Sequence, residues 1–157
     1  MTLRIPPVLL LGICAAAGLF LARCTPALRV VHDALGPLSL LFFVPAGAVL
    51  LSSVRAFWRA GTTVNPVRVD SPSELVTTGL YRWSRNPMYV AMAFVLLGEA
   101  VWLGSPVASL VVVPFVALIN AFQIRDEEAA LEREFGEAFE QYRETTPRWL
   151  GRVERSA

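Results

Sequence analysis

Charged residues are almost absent from three long stretches in the first 124 residues of the chain. Residues 5–22 and 34–54 contain no charged side chain, and each has about the length of a helix that crosses the hydrocarbon core of a membrane. The third stretch, 86–124, has Glu99 as its one charge and is about twice too long for a single crossing. It is expected to fold back at Gly104-Ser105-Pro106, where turn-forming residues interrupt it. The pattern predicts four transmembrane helices, at residues 5–22, 34–54, 86–103 and 107–124.

Residues 126–143 have an amphipathic pattern instead. Leu131, Phe135, Phe139 and Tyr142 fall on one side of a helix, and the glutamates fall largely elsewhere. Because an acidic surface is repelled by anionic headgroups, this helix is expected to dock onto protein. The chain is thus predicted to be a single all-α domain, 1–157, a polytopic membrane protein with four transmembrane helices, the last two a tight hairpin, and an amphipathic C-terminal helix.

The arginines predict how the chain is oriented in its membrane. With the N-terminus inside, Arg4, five arginines in the segment 55–85 and six from Arg125 onward face the cytoplasm, against Arg23 and Arg29 outside. Positively charged residues favour the cytoplasmic side of a membrane protein. The segment 55–85 and the C-terminal helix are therefore expected to be cytoplasmic, with both termini, and the short chain with four spans favours a prokaryotic plasma membrane.

The composition agrees with a membrane protein and excludes several kinds of chemistry. The mean hydropathy is +0.52 and 17% of the residues are charged, whereas about 25% is usual for a soluble domain. All 14 basic residues are arginine, which excludes Schiff-base lysines and the lysine of a P-loop. One histidine, His32, and two cysteines are too few for an ordinary zinc or haem site. The formal net charge of +1 makes nucleic acid a poor expectation as partner.

Polar and aromatic residues gather where the last two predicted spans meet the cytoplasm. Asn120, Gln123 and Glu127 follow a spacing of i, i+3 and i+7, so they form one polar line if the fourth helix continues into the tail. Arg82 and Arg85, at the entrance to the third helix, are expected to face the adjacent acids Glu127 and Glu128 across the same membrane boundary. The alternative is structural, because arginines and aromatics such as Trp83 also anchor helices at a membrane interface.

Two motifs in this region resemble a known family. The first is Gly79-x-Tyr81-x-x-x-Arg85-Asn86-Pro87-x-Tyr89, and the second is Glu127-Glu128-x-x-Leu131-x-x-x-Phe135-Gly136-x-x-Phe139-x-x-Tyr142. In this order and separation, over residues 62–150, they resemble the isoprenylcysteine carboxyl methyltransferase and phospholipid methyltransferase group of integral membrane enzymes. The resemblance implies S-adenosylmethionine bound between the hairpin and the C-terminal helix, and a lipid-like or isoprenoid acceptor that enters between the helices.

The chain departs from the family pattern at three positions. The usual Arg-His-Pro is Arg85-Asn86-Pro87, a usual glycine is Ala91, and a tyrosine often found in the tail is Phe139. Asn86 still donates and accepts hydrogen bonds, but it does not titrate between pH 5 and 8 as a histidine does. Proton transfer at this position is therefore in doubt, whereas contact with a cofactor is not.

The residue types suit the parts of S-adenosylmethionine. Arg85 or Arg82 could bind its carboxylate, Glu127 or Glu128 its ammonium, and Tyr81, Tyr89 or Trp83 its adenine or sulfonium. A carboxylate acceptor is already ionised at pH 7, whereas an ammonium acceptor must first lose a proton, and the sequence leaves both open. Expected catalytic residues are Arg85, Glu127 and Glu128. Expected cofactor-binding residues are Tyr81, Arg82, Arg85, Asn86, Pro87, Met88, Tyr89, Asn120, Gln123, Glu127 and Glu128.

Two other functions remain as alternatives. Membrane sterol and steroid reductases that use NADPH look similar in their hairpin and C-terminal helix. A small proton-coupled exporter would need an acid within a span, and Glu99 is the one such residue in the predicted helices. An exporter would tolerate deletion of the tail after Arg125, whereas a methyltransferase would not.

Overall fold

The computed structural model describes residues 5–59 and 75–150, which are helical with short connections and contain no strand. This confirms the all-helical prediction for the described part of the chain. Six α-helices follow in order: α1 Pro7–Cys24, α2 Leu35–Arg59, α3 Pro87–Trp102, α4 Val112–Ile119, α5 Arg125–Phe135 and α6 Glu137–Thr145. Short 3₁₀ helices cover Pro26–Leu28, Gly79–Arg82 and Ala108–Val111. Part of the predicted cytoplasmic segment, residues 60–74, lies outside the described residues.

Within residues 5–59 and 75–150, three helical stretches are long and apolar enough to cross a membrane, namely Pro7–Cys24, Leu35–Ala56 and Ala108–Phe135. They fit a multi-pass membrane protein. Helix α3 is apolar but has 16 residues, fewer than the roughly 20 of a usual crossing. Four crossings therefore stay a prediction, whereas an apolar helical bundle is observed.

The helical run from Ala108 to Phe135 is continuous but not uniform. It begins as a 3₁₀ helix, continues as α4, widens into a π-helical turn at Asn120–Ile124 and then becomes α5. The helix predicted at 107–124 is therefore present, and helical spacing alone does not distinguish its three types of turn. Single π-helical turns inside α-helices are frequent at functional sites.

The predicted C-terminal helix 126–143 is two helices. Gly136 separates α5 from α6 and has φ 49° and ψ −120°, a conformation that side-chain-bearing residues rarely adopt. The prediction of a single helix was wrong because an i, i+4 spacing of apolar residues can continue across a break. After the break, Phe139 and Tyr142 of α6 pack with Tyr81 in a buried cluster beneath the end of α2.

The main core lies where α1, α3 and α4 meet. Leu10 and Cys14 of α1, Leu96 of α3, and Phe115 and Ile119 of α4 are buried together there. Helix α2 packs along α3, and Gly98 permits this approach because a Cβ at that position would lie 2.9 Å from Cε1 of Phe43. Tyr89 at the start of α3 and Ile119 at the end of α4 belong to the same buried core, which places the two sequence motifs at the same end of the bundle.

The turn at the other end of α3 is fixed to the loop that follows α1. The Val30 backbone N–H donates to the Gly104 carbonyl at 2.8 Å. Gly104 has φ 60°, and a Cβ there would lie 2.1 Å from the Val30 carbonyl oxygen. Both the backbone conformation and the close approach therefore require glycine at this turn.

We predict that Gly104→Ala destabilises the protein by about 2 kcal/mol or more, because a methyl group meets backbone at a positive φ. Gly12→Ala in α1 is the matched control, since a Cβ at Gly12 would meet nothing within 4 Å. Unfolding in detergent, followed by tryptophan fluorescence against temperature, compares the two variants. Equal midpoints would contradict this account of the turn.

Candidate functional site

Polar side chains converge at the end of the bundle where α3 begins. Four parts of the chain meet there: the 3₁₀ helix Gly79–Arg82 with the residues that follow it, the first turn of α3, the π-helical turn with the start of α5, and the C-terminal strap, by which we mean Thr146–Trp149. Pro87 occupies the first turn of α3, where its missing N–H costs no hydrogen bond. This geometry brings both sequence motifs together.

The first group of polar residues, the Glu127 cluster, consists of Glu127, Tyr89 and Gln123. The Tyr89 hydroxyl donates to Glu127 Oε1 at 2.6 Å, and Gln123 Nε2 donates to the same oxygen at 2.7 Å. Tyr89 and Gln123 are buried, and Glu127 is half-buried. The cluster holds a carboxylate in a fixed orientation and partly away from water, which suits the binding of a cationic group.

The second group, the Glu128 cluster, consists of Glu128, Arg85 and Arg148. Arg85 Nη2 donates to Glu128 Oε1 at 2.8 Å, and Arg148 Nε donates to the same oxygen at 3.0 Å. Arg148 Nη2 also donates to Glu128 Oε2. The hydrogen bond to Glu128 raises the pKa of the Arg148 guanidinium. Two cations share one carboxylate, so the three side chains together have a net charge of +1, which suits an anionic ligand group.

The strap is bound to the start of α3 through its backbone. The Arg85 N–H donates to the Pro147 carbonyl at 2.9 Å, and Asn86 Nδ2 donates to the Arg148 carbonyl at 2.9 Å. The Ser84 hydroxyl donates to the same Arg148 carbonyl at 3.2 Å. The strap therefore covers the Glu128 cluster, and Asn86 acts here as a hydrogen-bond donor to backbone.

Side chains also join the strap and α6 to the site. Trp149 Nε1 donates to Asn120 Oδ1 at 3.1 Å, which ties the strap to the π-helical turn. Arg85 Nη1 donates to the carbonyl of Arg143 at 3.1 Å and also to that of Thr146. Arg85 therefore binds the C-terminal end of α6, the strap and Glu128 with a single guanidinium.

Tyr81 lies between the site and the end of α2. Its carbonyl accepts a hydrogen bond from the Tyr142 hydroxyl at 2.6 Å. Burial raises the pKa of the Tyr81 phenol, and the negative charge of Glu127 adds to this rise. The phenol therefore stays neutral over the physiological pH range. Burial likewise raises the pKa of the Tyr142 phenol.

The structure places the remaining predicted residues less centrally. Arg82 is exposed on its 3₁₀ helix, and the hydrogen bonds described at the two clusters do not include it. Trp83 is 74% exposed. Met88 is half-buried and Pro87 is buried in the first turn of α3. Of the two predicted arginines, Arg85 is therefore the one that the fold brings into the site.

Sequence reasoning missed Ser84, Arg148 and Trp149. Ser84 precedes α3, and Arg148 and Trp149 follow α6, so all three lie outside the helices. Helical spacing therefore could not predict that they belong to the site. The available signal was the composition of Thr146-Pro147-Arg148-Trp149, since an arginine and a tryptophan directly after an amphipathic helix are residue types found in binding sites.

Comparison with known proteins adds a family to this geometry. A family model described as phospholipid methyltransferase matches residues 36–138. Protein-S-isoprenylcysteine O-methyltransferase of Schizosaccharomyces pombe is 33% identical over 112 residues, which are 69% of this chain and 47% of that protein. The enzyme of the same name from Mus musculus is 32% identical over 98 residues, 60% of this chain and 35% of that protein. The chain thus spans about a third to a half of the length of these two methyltransferases.

A shorter relative is an uncharacterized protein of Haemophilus influenzae, 41% identical over 63 residues, which are 40% of this chain and all of that protein. No solved structure matches the chain. The family match includes α2, α3, α4 and α5, and therefore both the Glu127 and the Glu128 side chains.

We predict that Glu128→Ala lowers the free energy of unfolding by about 3 kcal/mol, because it leaves the guanidinium of Arg85 without its carboxylate. The side chain of Arg85 is 9% exposed and that of Glu128 is 14% exposed. Glu140→Ala is the matched control, since the ion pair of Glu140 with Arg143 is exposed and such pairs contribute about 0.5 kcal/mol. Denaturant unfolding in mixed micelles measures both. Equal losses would contradict a structural role of Glu128.

Proposed function

Because the chain belongs to the phospholipid methyltransferase family, we propose that it transfers a methyl group from S-adenosylmethionine to a carboxylate or an amine of a lipid-like or isoprenoid acceptor. The observation that supports this most is the position of the two clusters on consecutive residues of α5. Glu127 presents a carboxylate in one cluster, and one residue later the arginines around Glu128 leave a net positive charge. A ligand with a cation and a carboxylate close together would match both.

The residues present fit the methionine part of S-adenosylmethionine. That part has an ammonium, a carboxylate and a sulfonium, and the two clusters offer a carboxylate and a surplus guanidinium charge. The Nε atom of Arg85 is buried and has no hydrogen-bond partner among the described residues, so it is a donor that a ligand oxygen could satisfy. When bound, S-adenosylmethionine would supply an electrophilic methyl group on its sulfonium.

We assign a distinct role to each residue of the site. Glu127 binds the ammonium or the sulfonium, and Tyr89 and Gln123 hold its carboxylate in orientation. Arg85 and Arg148 bind the carboxylate, and Glu128 holds both arginines in place. Asn86 and Asn120 fix the strap over this arrangement. The aromatic rings of Tyr81 and Tyr89 are the candidates to face the adenine.

Asn86 limits the proton chemistry of the site. Its amide does not titrate, so it cannot relay a proton. It donates a hydrogen bond to the Arg148 carbonyl. A carboxylate acceptor is ionised at pH 7 and needs only orientation, whereas an amine acceptor would need one of the two glutamates as base. A carboxylate acceptor therefore needs no general base from the site, whereas an amine acceptor does.

The location follows from the distribution of arginines. Five arginines in 55–85 and six after Ile124, against Arg23 and Arg29 on the predicted outer side, support a site at the cytoplasmic face of a prokaryotic plasma membrane. The two alternatives have less support. The family match favours methyl transfer over NADPH reduction, and Glu99, which an exporter would need, packs against Gly18 of α1 away from both clusters.

We predict that Glu127→Gln weakens S-adenosylmethionine binding about thirtyfold, because a charge-assisted hydrogen bond of about 2 kcal/mol is lost while the shape is kept. Glu134→Gln is the matched control, since Glu134 is exposed on the same helix. Isothermal titration of the full chain in detergent measures the affinities. Unchanged affinity in Glu127→Gln would remove Glu127 from the binding site.

Repeating the titration with S-adenosylhomocysteine identifies the cation that Glu127 binds. This product keeps the ammonium and lacks the sulfonium charge. An equal loss for both ligands assigns Glu127 to the ammonium, and a loss confined to S-adenosylmethionine assigns it to the sulfonium.

The activity itself is tested by transfer of tritiated methyl groups from S-adenosylmethionine into a bacterial lipid extract. We expect label in the organic phase with the unaltered chain and a loss of most of it with Glu127→Gln. Base treatment then releases volatile methanol from a methyl ester and none from a methylated amine. Turnover of NADPH without any methyl transfer would instead support the reductase alternative.

A further inference from the structure

A cavity of about 820 Å³ lies next to the site, between the last turns of α2 and residues 75–83. Ser52, Arg55 and Ala56 of α2 line one side of it. The 3₁₀ helix Gly79–Arg82 contributes Leu80 and Tyr81 to the other side. A volume of this size is typical of sites that bind small molecules.

The lining of the cavity is amphipathic. Leu75, Val76 and Leu80 provide apolar walls, and Thr77 and Thr78 add hydroxyl groups. Among the described residues that line it, Arg55 is the one charged side chain. A ligand that fits such a lining has an apolar part and an anionic group, because an ammonium group would meet the like charge of Arg55.

The cavity borders the segment that leads into the Glu128 cluster. Tyr81 and Trp83 line the cavity and precede Arg85 of that cluster by four and two residues. The Tyr81 carbonyl accepts a hydrogen bond from the Tyr142 hydroxyl of α6, and Arg85 donates to the Arg143 carbonyl of the same helix. A ligand group in the cavity would therefore lie close to the proposed methyl-donor site.

One face of α2 leads along the helix to Arg55. Leu41, Val44, Ala48 and Leu51 are exposed at positions i, i+3, i+7 and i+10, and Arg55 follows at i+14. These spacings place all five residues on the same side of the helix. Since α2 is apolar enough to cross a membrane, this face offers a path for an acyl or isoprenoid chain whose head ends at Arg55.

We propose that this cavity is the acceptor site and that Arg55 binds a carboxylate or phosphate of an anionic amphiphile whose chain lies along the exposed face of α2. The inference rests on the proposed methyl transfer, to which it adds the class of acceptor. Arg55 is a specificity-determining residue in this account, and it lies outside the Glu127 and Glu128 clusters.

Binding of tritiated palmitate to the full chain in phosphatidylcholine nanodiscs tests the proposal. Unlabelled palmitate and hexadecyl phosphate are competitors with an anionic head, and palmitamide is the neutral competitor of the same chain length. We expect at least one anionic amphiphile to bind about tenfold more tightly than palmitamide. A preference for palmitate assigns the anion to a carboxylate, and a preference for hexadecyl phosphate assigns it to a phosphate. Equal competition by palmitamide would overturn the proposal.

Three variants locate the site of binding. Arg55→Gln is expected to weaken the anionic ligand about tenfold, to the level of palmitamide, and Arg55→Lys is expected to restore most of the affinity. Arg23→Gln is the matched control, because Arg23 is exposed at the end of α1, on the opposite side of the bundle from the site. Equal losses in Arg55→Gln and Arg23→Gln, or none in Arg55→Gln, would overturn the proposal.

Titration of S-adenosylmethionine into Arg55→Gln separates this inference from the function on which it rests. We expect the affinity for S-adenosylmethionine to be unchanged. If S-adenosylmethionine binds but palmitate binding does not depend on Arg55, the proposed acceptor site is refuted and the proposed methyl transfer is not. If the unaltered chain binds palmitate through Arg55 but does not bind S-adenosylmethionine, the proposed methyl transfer is refuted instead.

Discussion

The arrangement of the site depends on one carboxylate shared by two arginines. Glu128 of α5 binds Arg85 from the start of α3 and Arg148 from the strap, which lie 63 residues apart in the sequence. Because the pair of Arg85 and Glu128 is mostly withdrawn from water, breaking it would leave a buried charge. This interaction joins α5 to the start of α3 and to the strap, beside the backbone hydrogen bonds that the strap makes with Arg85 and Asn86.

The two consecutive glutamates have different hydrogen-bond partners, and the proposed function gives them different roles. Glu128 binds the guanidinium groups of Arg85 and Arg148, and Glu127 accepts hydrogen bonds from the phenol of Tyr89 and the amide of Gln123. Helical geometry points neighbouring side chains about 100° apart, so one residue can stabilise the fold while the next faces a ligand. The cavity at Arg55 would hold the acceptor next to Tyr81.

The sequence predicts the parts of the site that follow helical spacing or the family motif and misses those that follow neither. The polar line of Gln123 and Glu127 and the arginine at the entrance to α3 follow from helical spacing and from the family motif. Arg148 and Trp149 could not be found in this way, because their position depends on backbone hydrogen bonds to Ser84, Arg85 and Asn86. The break at Gly136 could not be predicted from apolar spacing, because that spacing continues across it.

The most direct test of the account is an experimental structure of the full chain with S-adenosylhomocysteine bound in a lipid nanodisc. We predict that the ammonium lies within hydrogen-bond distance of the Glu127 carboxylate, and that the ligand carboxylate lies at the guanidinium groups of Arg85 and Arg148, beneath the strap. A ligand bound elsewhere, or one whose ammonium contacts Glu128 while Glu127 faces away, would contradict the division of roles between the two glutamates.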